Sequence, residues 1–496
     1  MLTRFQVTGF KNLVDVDISF GPFTCIAGAN GTGKSNLFDA IHFLSSLADK
    51  PLLEAAMGVR DDQANTGDIR NLFHRAGNEY DKTMRFDVEM LVPKAGEDGL
   101  GQRAEATATF LRYVLELKYR EHQNGLGSGK LEIVQEELTH FRKSDAHKHL
   151  GFPHVVAKWR ESVMHADRRA VAFISTVVQE GGCGLIKLHQ DGGHGGRPQE
   201  RVASSLPRTI LSVVNAAEAP TATLARTEML SWRLLQLEPS ALRHPDPFIA
   251  PTTLGSDGSH LAATLYHLAD PERDTESASR TYAQIARRLA ELVEDVHDVH
   301  VDRDEKRQLL TLYVTNQDGT AHPAVSLSDG TLRFLALAVL EKDPNATGLI
   351  CLEEPENGIH PGRIRAMLEL LQDIASDPRE PVDSDNPLRQ VVINTHSPAV
   401  VAQIDQEDLV VAEEREMICE GRRFDRVCFR GLSDTWRTKS HDGQKGIALG
   451  QLMAYLDPLA EALIHEKPGA KGSTRRKRVM DREDVQAWLP GITKEL

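Results

Sequence analysis

Gly28-Ala29-Asn30-Gly31-Thr32-Gly33-Lys34-Ser35 meets the pattern G-x-x-x-x-G-K-[ST] at every fixed position. The flanks agree with it. Phe23-Thr24-Cys25-Ile26-Ala27 is a short apolar run that reads as a buried strand, and Leu37, Ile41 and Leu44 recur at helical spacing beyond the loop. Strand, glycine loop and helix are the parts that hold a triphosphate. Glycine permits positive φ and close backbone approach, so successive N–H groups can face phosphate oxygens. The helix start adds its partial positive charge. Lys34 is expected to reach the β- and γ-phosphates and the Ser35 hydroxyl to bind Mg²⁺. The chain reads as a nucleotide-dependent machine.

With 496 residues, 40% of them hydrophobic and 26% charged, the chain has the length of two or three globular domains. No apolar run approaches the roughly 20 residues that span a bilayer. The opening Met1-Leu2-Thr3-Arg4-Phe5-Gln6 alternates like a strand rather than a leader peptide. The five cysteines form no C-x-x-C pair, which points to a reducing cytoplasm without a disulfide or zinc framework. A net charge of −14 argues against a surface coated by nucleic acid and leaves room for a local basic patch.

Period-two patterns dominate the first 190 residues. Phe5, Val7, Val14, Val16, Ile18 and Phe20 suggest an antiparallel pair turning at Lys11-Asn12, and further alternation runs over 84–92, 107–117, 131–134, 171–177 and 185–188. After the glycine-rich loop at 190–198, residues 204–296 read as largely helical, with Ile285, Leu289, Leu292 and Val293 as a stripe. Strands return at 299–301 and 309–314. The expected divisions are a core half with an antiparallel sheet (1–200), a helical lobe (201–297), a second core half (298–415) and a C-terminal extension (416–496). Lys467, Lys471, Arg475, Arg476, Lys477 and Arg478 in that extension read as a solvated tail, with a phosphate- or acid-binding arm as the alternative.

Three further segments bear on the same chemistry. Gly348-Leu349-Ile350-Cys351-Leu352-Glu353-Glu354-Pro355 is a buried-strand pattern that delivers two carboxylates at its C-terminal end, where an α/β core holds its ligand. Strand alternation sends the two opposite ways, so Glu353 is expected on the Mg²⁺ side and Glu354 to polarise the attacking water. Gln390-Val391-Val392-Ile393-Asn394-Thr395-His396-Ser397-Pro398 repeats the pattern, with His396 placed to donate to the γ-phosphate or to the water. Ser326-Leu327-Ser328-Asp329-Gly330-Thr331 precedes a helix, and taken alone Ser328 reads as its N-cap.

In this order, the segments at 28–35, 327–331, 349–354, 354–361 and 394–398 resemble the ABC-type ATPases of the RecF, SMC and OLD group, as does the opening Val7-Thr8-Gly9-Phe10-Lys11-Asn12-Leu13. The resemblance covers about half of the chain. It implies an α/β ABC-ATPase head with a mixed or parallel P-loop core sheet, an antiparallel β subdomain and an inserted helical lobe. It also implies a head-to-tail homodimer or higher homo-oligomer with ATP sandwiched between subunits. Gly28, Asn30, Gly31, Thr32, Gly33, Lys34, Ser35 and Asn36 would cradle the nucleotide, Asn30 approaching the γ-phosphate, with Lys11 and Asn12 near the base. Lys34, Ser35, Glu353, Glu354 and His396 of one copy would then face Ser328 and Gly330 of the other. Asp329 stands where transporters usually carry a second glycine, and Glu353 replaces the commoner Asp; both suit the non-transporter branch. Phe73-His74-Arg75 is the expected neighbourhood of the glutamine loop.

Two purposes compete for such an ATPase. The absence of a long heptad run and the Glu354-to-Pro361 stretch look like prokaryotic defence ATPases such as the PtuA, AriA and OLD relatives. No Asp-x-Asp follows Ser397, so a nuclease effector would be a separate protein. The other reading is a RecF-like DNA-binding clamp whose basic face meets phosphates; a transporter motor ranks third. His140, His147, His149 and His154 read as loop residues rather than a zinc site, and Trp159, Trp232 and Trp488 as packing residues.

Overall fold

The computed structural model describes residues 1–59, 68–121, 129–166, 171–178, 184–191, 197–272, 274–419, 422–440 and 446–447. Its centre is a six-stranded sheet in the order Arg233–Leu235, Gly348–Glu353, Arg389–Thr395, Phe23–Ala27, Leu409–Cys419, Arg422–Gly431. The first five strands run parallel and the last returns as an antiparallel hairpin arm. Buried on both faces, Phe23–Ala27 is apolar but for Thr24, and Arg389–Thr395 is apolar between its polar ends, as a covered parallel sheet requires. Chain order and space order differ. The N-terminal strand lies between strands contributed more than 360 residues later, so neither half of the core closes without the other.

An eight-stranded antiparallel sheet makes the second layer, in the order Gln199–Val202, Gly184–Leu188, Ile174–Val178, Lys130–His140, Phe110–Arg120, Thr83–Leu91, Leu2–Thr8, Val16–Ser19. The α/β class with a parallel P-loop sheet and an antiparallel subdomain is therefore the observed one. The inward row Thr109, Leu111, Tyr113, Leu115 and Leu117 is at most 1% exposed, as its alternation predicts. The helix Lys34–Leu47 packs Leu37, Ile41, Phe43 and Leu44 into the main core, where Phe10, Phe43 and Phe86 meet with ring centroids 5.8 to 5.9 Å apart.

Two details differ from the periodicity reading. Residues 201–297 supply the helices Pro220–Leu230, Leu261–Ala269 and Thr275–Ala290, yet they also place the strand Arg233–Leu235 on the edge of the core sheet. The strands Leu409–Cys419 and Arg422–Gly431 carry the core sheet across residue 415, where an extension was expected to begin. Alternation there is masked by charge: Glu413, Glu414, Arg415 and Glu416 sit in an arm that is partly exposed. Met1–Leu449 group as one compact unit. The basic run 467–478 and Trp488 lie outside the described residues.

Candidate nucleotide site

Parallel register sets the site. Ala27 pairs with Thr395, Ile26 with Asn394, and Asn394 with Glu353, so the glycine loop, the two glutamates and His396 leave the sheet side by side at its C-terminal edge. Gly33 adopts φ 93° at the N-cap of Lys34–Leu47, and that helix has no side-chain cap and no acid in its first turn. Its leading N–H groups are thus left to an anion. A Cβ on Gly33 would stand 2.2 Å from Asn12 Nδ2, so only glycine fits both the torsion and the space.

Lys34, 6% exposed, donates from Nζ to the carbonyls of Gly28 and Ala29, each at 2.7 Å. Burial lowers its pKa, and Glu354, Glu353 and Glu356 oppose that shift. A cavity of about 560 Å³ opens over this lysine, within the range of small-molecule sites. The loop residues Asn30, Gly31, Gly33, Ser35 and Asn36 line it together with Glu353, Glu354, Asn357 and Asn394. So polar a wall suits a charged ligand.

Glu354 has φ 46°, a left-handed torsion for a residue with a Cβ, held in place as its N–H donates to the Asn394 carbonyl at 3.0 Å. Such torsions cost of order 1–3 kcal/mol and persist where the surroundings over-determine them. Both carboxylate oxygens are engaged: His396 Nδ1 stands 2.5 Å from Oε1, and Asn357 Nδ2 donates to Oε2 at 3.0 Å. Glu353 ends its strand and lines the same cavity as Ser35. Thr395, fully buried, donates to Glu356 Oε1 at 2.5 Å and accepts from the Ser397 N–H at 2.9 Å.

Lys11 and Asn12 do not line the cavity but reach its floor. Lys11 pairs with Asp39 at 2.8 Å, and Asn12 Oδ1 accepts from Asn36 Nδ2 at 2.9 Å. Thr32 closes the loop on itself, donating to the Ala29 carbonyl at 3.0 Å. Ser328 and Gly330 stand apart from the cavity of their own chain. Ser328 caps Asp329–Lys342 by accepting from the Thr331 N–H, and a Cβ on Gly330 would meet the Gly358 carbonyl at 2.3 Å. His74, in the expected glutamine-loop neighbourhood, is buried away from the cavity, with Nδ1 2.9 Å from the Lys11 carbonyl and its ring against Phe424. Sequence reasoning gave no role to Asn357, Asn394, Asp39 or Glu356. Asn357, Asn394 and Glu356 stand inside motifs that were quoted, and Asp39 lies one helical turn after Ser35, which was the available signal.

The residues present fit Mg·ATP. The loop offers a glycine cradle and a cation, and the Ser35 hydroxyl with the Glu353 carboxylate is the hard-oxygen donor pair that Mg²⁺ prefers. Comparison with known proteins agrees with the class. The family model described as "AAA domain, putative AbiEii toxin, Type IV TA system" matches residues 23–99 and 231–402, half of the chain, and the chain belongs to this AAA_21 family. Its motif order is similar to that of the ABC-type ATPases of the RecF/SMC group. It is similar to the DNA replication and repair protein RecF of Lactobacillus delbrueckii subsp. bulgaricus, with 26% identity over 114 residues, 23% of this chain and 28% of that protein. RecF of Bacteroides thetaiotaomicron is 46% identical over 46 residues, 9% of this chain and 12% of that one. The chain thus matches well under two thirds of either relative. Among solved structures, the SMC head domain from Thermotoga maritima aligns with 87% of this chain and 99% of its own at 12% identity and TM-score 0.35. The Smc head with a coiled coil and joint from Pyrococcus yayanosii aligns over 93% and 99% at 10% identity and TM-score 0.41. Among the described residues, no helix is long and apolar enough to cross a membrane.

Proposed function

We propose that this chain hydrolyses Mg·ATP with Glu354 as the water-polarising base, and that two copies close head to tail around the nucleotide. The observation that carries the reading is the Glu354 carboxylate, gripped by His396 and Asn357 in the cavity that Lys34 also lines. Lys34 and the loop N–H groups hold the phosphates, Glu354 orients water in line with the γ-phosphorus, and His396 donates toward the same region; positioning and charge compensation supply most of the rate. Ser35 and Glu353 would hold Mg²⁺, which would supply charge compensation for the phosphate oxygens. Ser328 and Gly330 of a second copy complete the γ-phosphate contacts, which ties turnover to association. Exposure of Ser328 and its separation from the cavity of its own chain support that role. Glu354→Gln tests this reading: it should hydrolyse ATP at least about a hundredfold more slowly and accumulate an ATP-bound dimer by light scattering. Wild-type turnover would remove Glu354 from the mechanism.

For the biological purpose, we infer the sensor or regulatory subunit of a prokaryotic anti-phage defence system that acts from the cytoplasm through a separate nuclease effector. The family description, which names a toxin of a type IV system, favours this reading. A RecF- or SMC-like DNA-binding clamp is the second reading, favoured by the RecF matches. Co-purification of an effector from the native host supports the first. ATP-dependent DNA binding by the isolated protein that weakens steeply with salt supports the second.

A further inference from the structure

Glu356 lies two residues beyond Glu354 and outside the cavity wall. It is 8% exposed, its Oε1 accepts the Thr395 hydroxyl at 2.5 Å, and its Oε2 is buried without a hydrogen-bond partner. A buried acceptor left unmade costs stability that an apolar side chain of similar size would not. Packing alone therefore gives no reason for a carboxyl here. What the carboxyl does is orient one hydroxyl. With its proton committed to Glu356, Thr395 Oγ1 presents lone pairs to the Ser397 N–H at 2.9 Å, which closes the 395–397 turn. His396 is the middle residue of that turn, and its ring reaches Glu354.

We propose that Glu356 is a positioning residue that acts through Thr395 to hold the His396 ring against Glu354. The proposal rests on the reading of Glu354 and His396 as the water-activating pair. The arrangement spans two neighbouring parallel strands: Gly348–Glu353 leads into Glu354 and Glu356, and Arg389–Thr395 into His396. Neither strand end fixes His396 alone. Strand pairing stops at Glu353 with Asn394, and the Glu356–Thr395 contact carries the connection past the edge of the sheet. Burial raises the Glu356 carboxyl above the usual carboxylate range, against the pull of the Thr395 hydroxyl. Glutamine keeps an acceptor oxygen at the position that takes the Thr395 hydroxyl, so an amide of the same shape should replace the carboxyl.

Steady-state ATPase kinetics and amide hydrogen exchange on the full chain test this with Glu356→Ala, Glu356→Gln, Thr395→Val and the Glu356→Ala/Thr395→Val double variant. Glu356→Ala and Thr395→Val are expected to lower kcat by about tenfold to a hundredfold, the scale of a misplaced catalytic group. Binding of a fluorescent ATP analogue should be unchanged, and the double variant should be no worse than either single one. Glu356→Gln should stay within about threefold of wild type, because its amide oxygen accepts the same hydroxyl. The Ser397 amide should exchange faster in both single variants. Should Glu356→Ala fail to fold, Thr395→Val breaks the same link almost isosterically. Additive losses, an unchanged kcat in Thr395→Val, or a Ser397 amide protected as in wild type would overturn the proposal. If wild type hydrolyses no ATP, the proposed function fails, and exchange at Ser397 still reads the link on its own.

Discussion

Asn357 joins Glu354 to the helix that begins at Asp329: its side-chain amide donates to Glu354 Oε2 at 3.0 Å, while its carbonyl accepts from Arg333 Nη1 at 2.8 Å. One residue thus touches the proposed base on one side and the proposed trans-acting helix on the other. A rotation of that helix would pull on the Asn357 carbonyl and carry the amide that steadies Glu354 with it.

Asn357→Ala removes the donor to Glu354 and keeps the backbone carbonyl. The expected outcome is a kcat lowered by about tenfold, with nucleotide affinity within about twofold of wild type. Stopped-time phosphate release and equilibrium binding of a fluorescent nucleotide measure the two quantities separately.

Gly330 has no room for a Cβ beside the Gly358 carbonyl, at 2.3 Å. Gly330→Ala must therefore lift the start of the helix from the 354–361 stretch. Because Gly330 lies apart from the cavity of its own chain, the variant should bind ATP normally and fail to form the ATP-dependent dimer. Mass photometry with a slowly hydrolysed analogue checks this; a normal dimer would place the subunit contact elsewhere.

Glu136 is fully buried in the antiparallel sheet, accepting from the Ile210 and Leu211 N–H groups at 2.8 and 2.9 Å and from the Tyr113 hydroxyl at 3.2 Å. Desolvation pushes its carboxyl up to about 7, only partly offset by those donors. A folded pKa above the unfolded value means that the native state binds the extra proton. The stability it contributes is present in full below the unfolded pKa and is lost as pH rises from about 4.5 to about 7. Wild type should therefore lose stability relative to Glu136→Gln over that window, by about 1.4 kcal/mol per pH unit at most. Thermal unfolding of both proteins from pH 4.5 to 7.5 reads the difference, and parallel curves would contradict it.

Arg389 is 4% exposed and donates to the Leu340 and Glu341 carbonyls at 3.4 and 2.9 Å, and also to that of Asp343, closing the C-terminal end of the helix Asp329–Lys342. Arg389→Met fills similar volume but removes this donor from the Leu340 and Glu341 carbonyls and leaves Asp343 only the bond from the Ala346 N–H. A loss of about 2–4 kcal/mol is expected. Arg389→Lys should rescue little of it, since one ammonium cannot match a planar fork. Chemical denaturation of the three proteins compares them.

Much of the site was legible because its chemistry is local in the chain. The loop at 28–35 carries its own strand, glycines and helix, and the apolar runs ending at Glu353 and His396 show by length and composition that they are buried strands with polar tips. Alternation likewise marked the antiparallel layer, since side chains two apart share a face. What the pattern could not hold was neighbourhood. That Thr395 lies beside Ala27 and Asn394 beside Glu353 is a matter of strand order and register between segments from about forty to several hundred residues apart. The Glu356–Thr395 link and the contact of His396 with Glu354 follow from it, and Gly330 meets Gly358 across the chain as well, whereas Asn357 grips Glu354 within a single turn. The charged arm at 409–431 escaped notice for a related reason: half-exposed strands owe their place to a neighbour rather than to their own apolar content. Local periodicity is written by near neighbours in the chain, whereas register is chosen by whichever long-range pairing buries the most surface while leaving the fewest polar groups unmade.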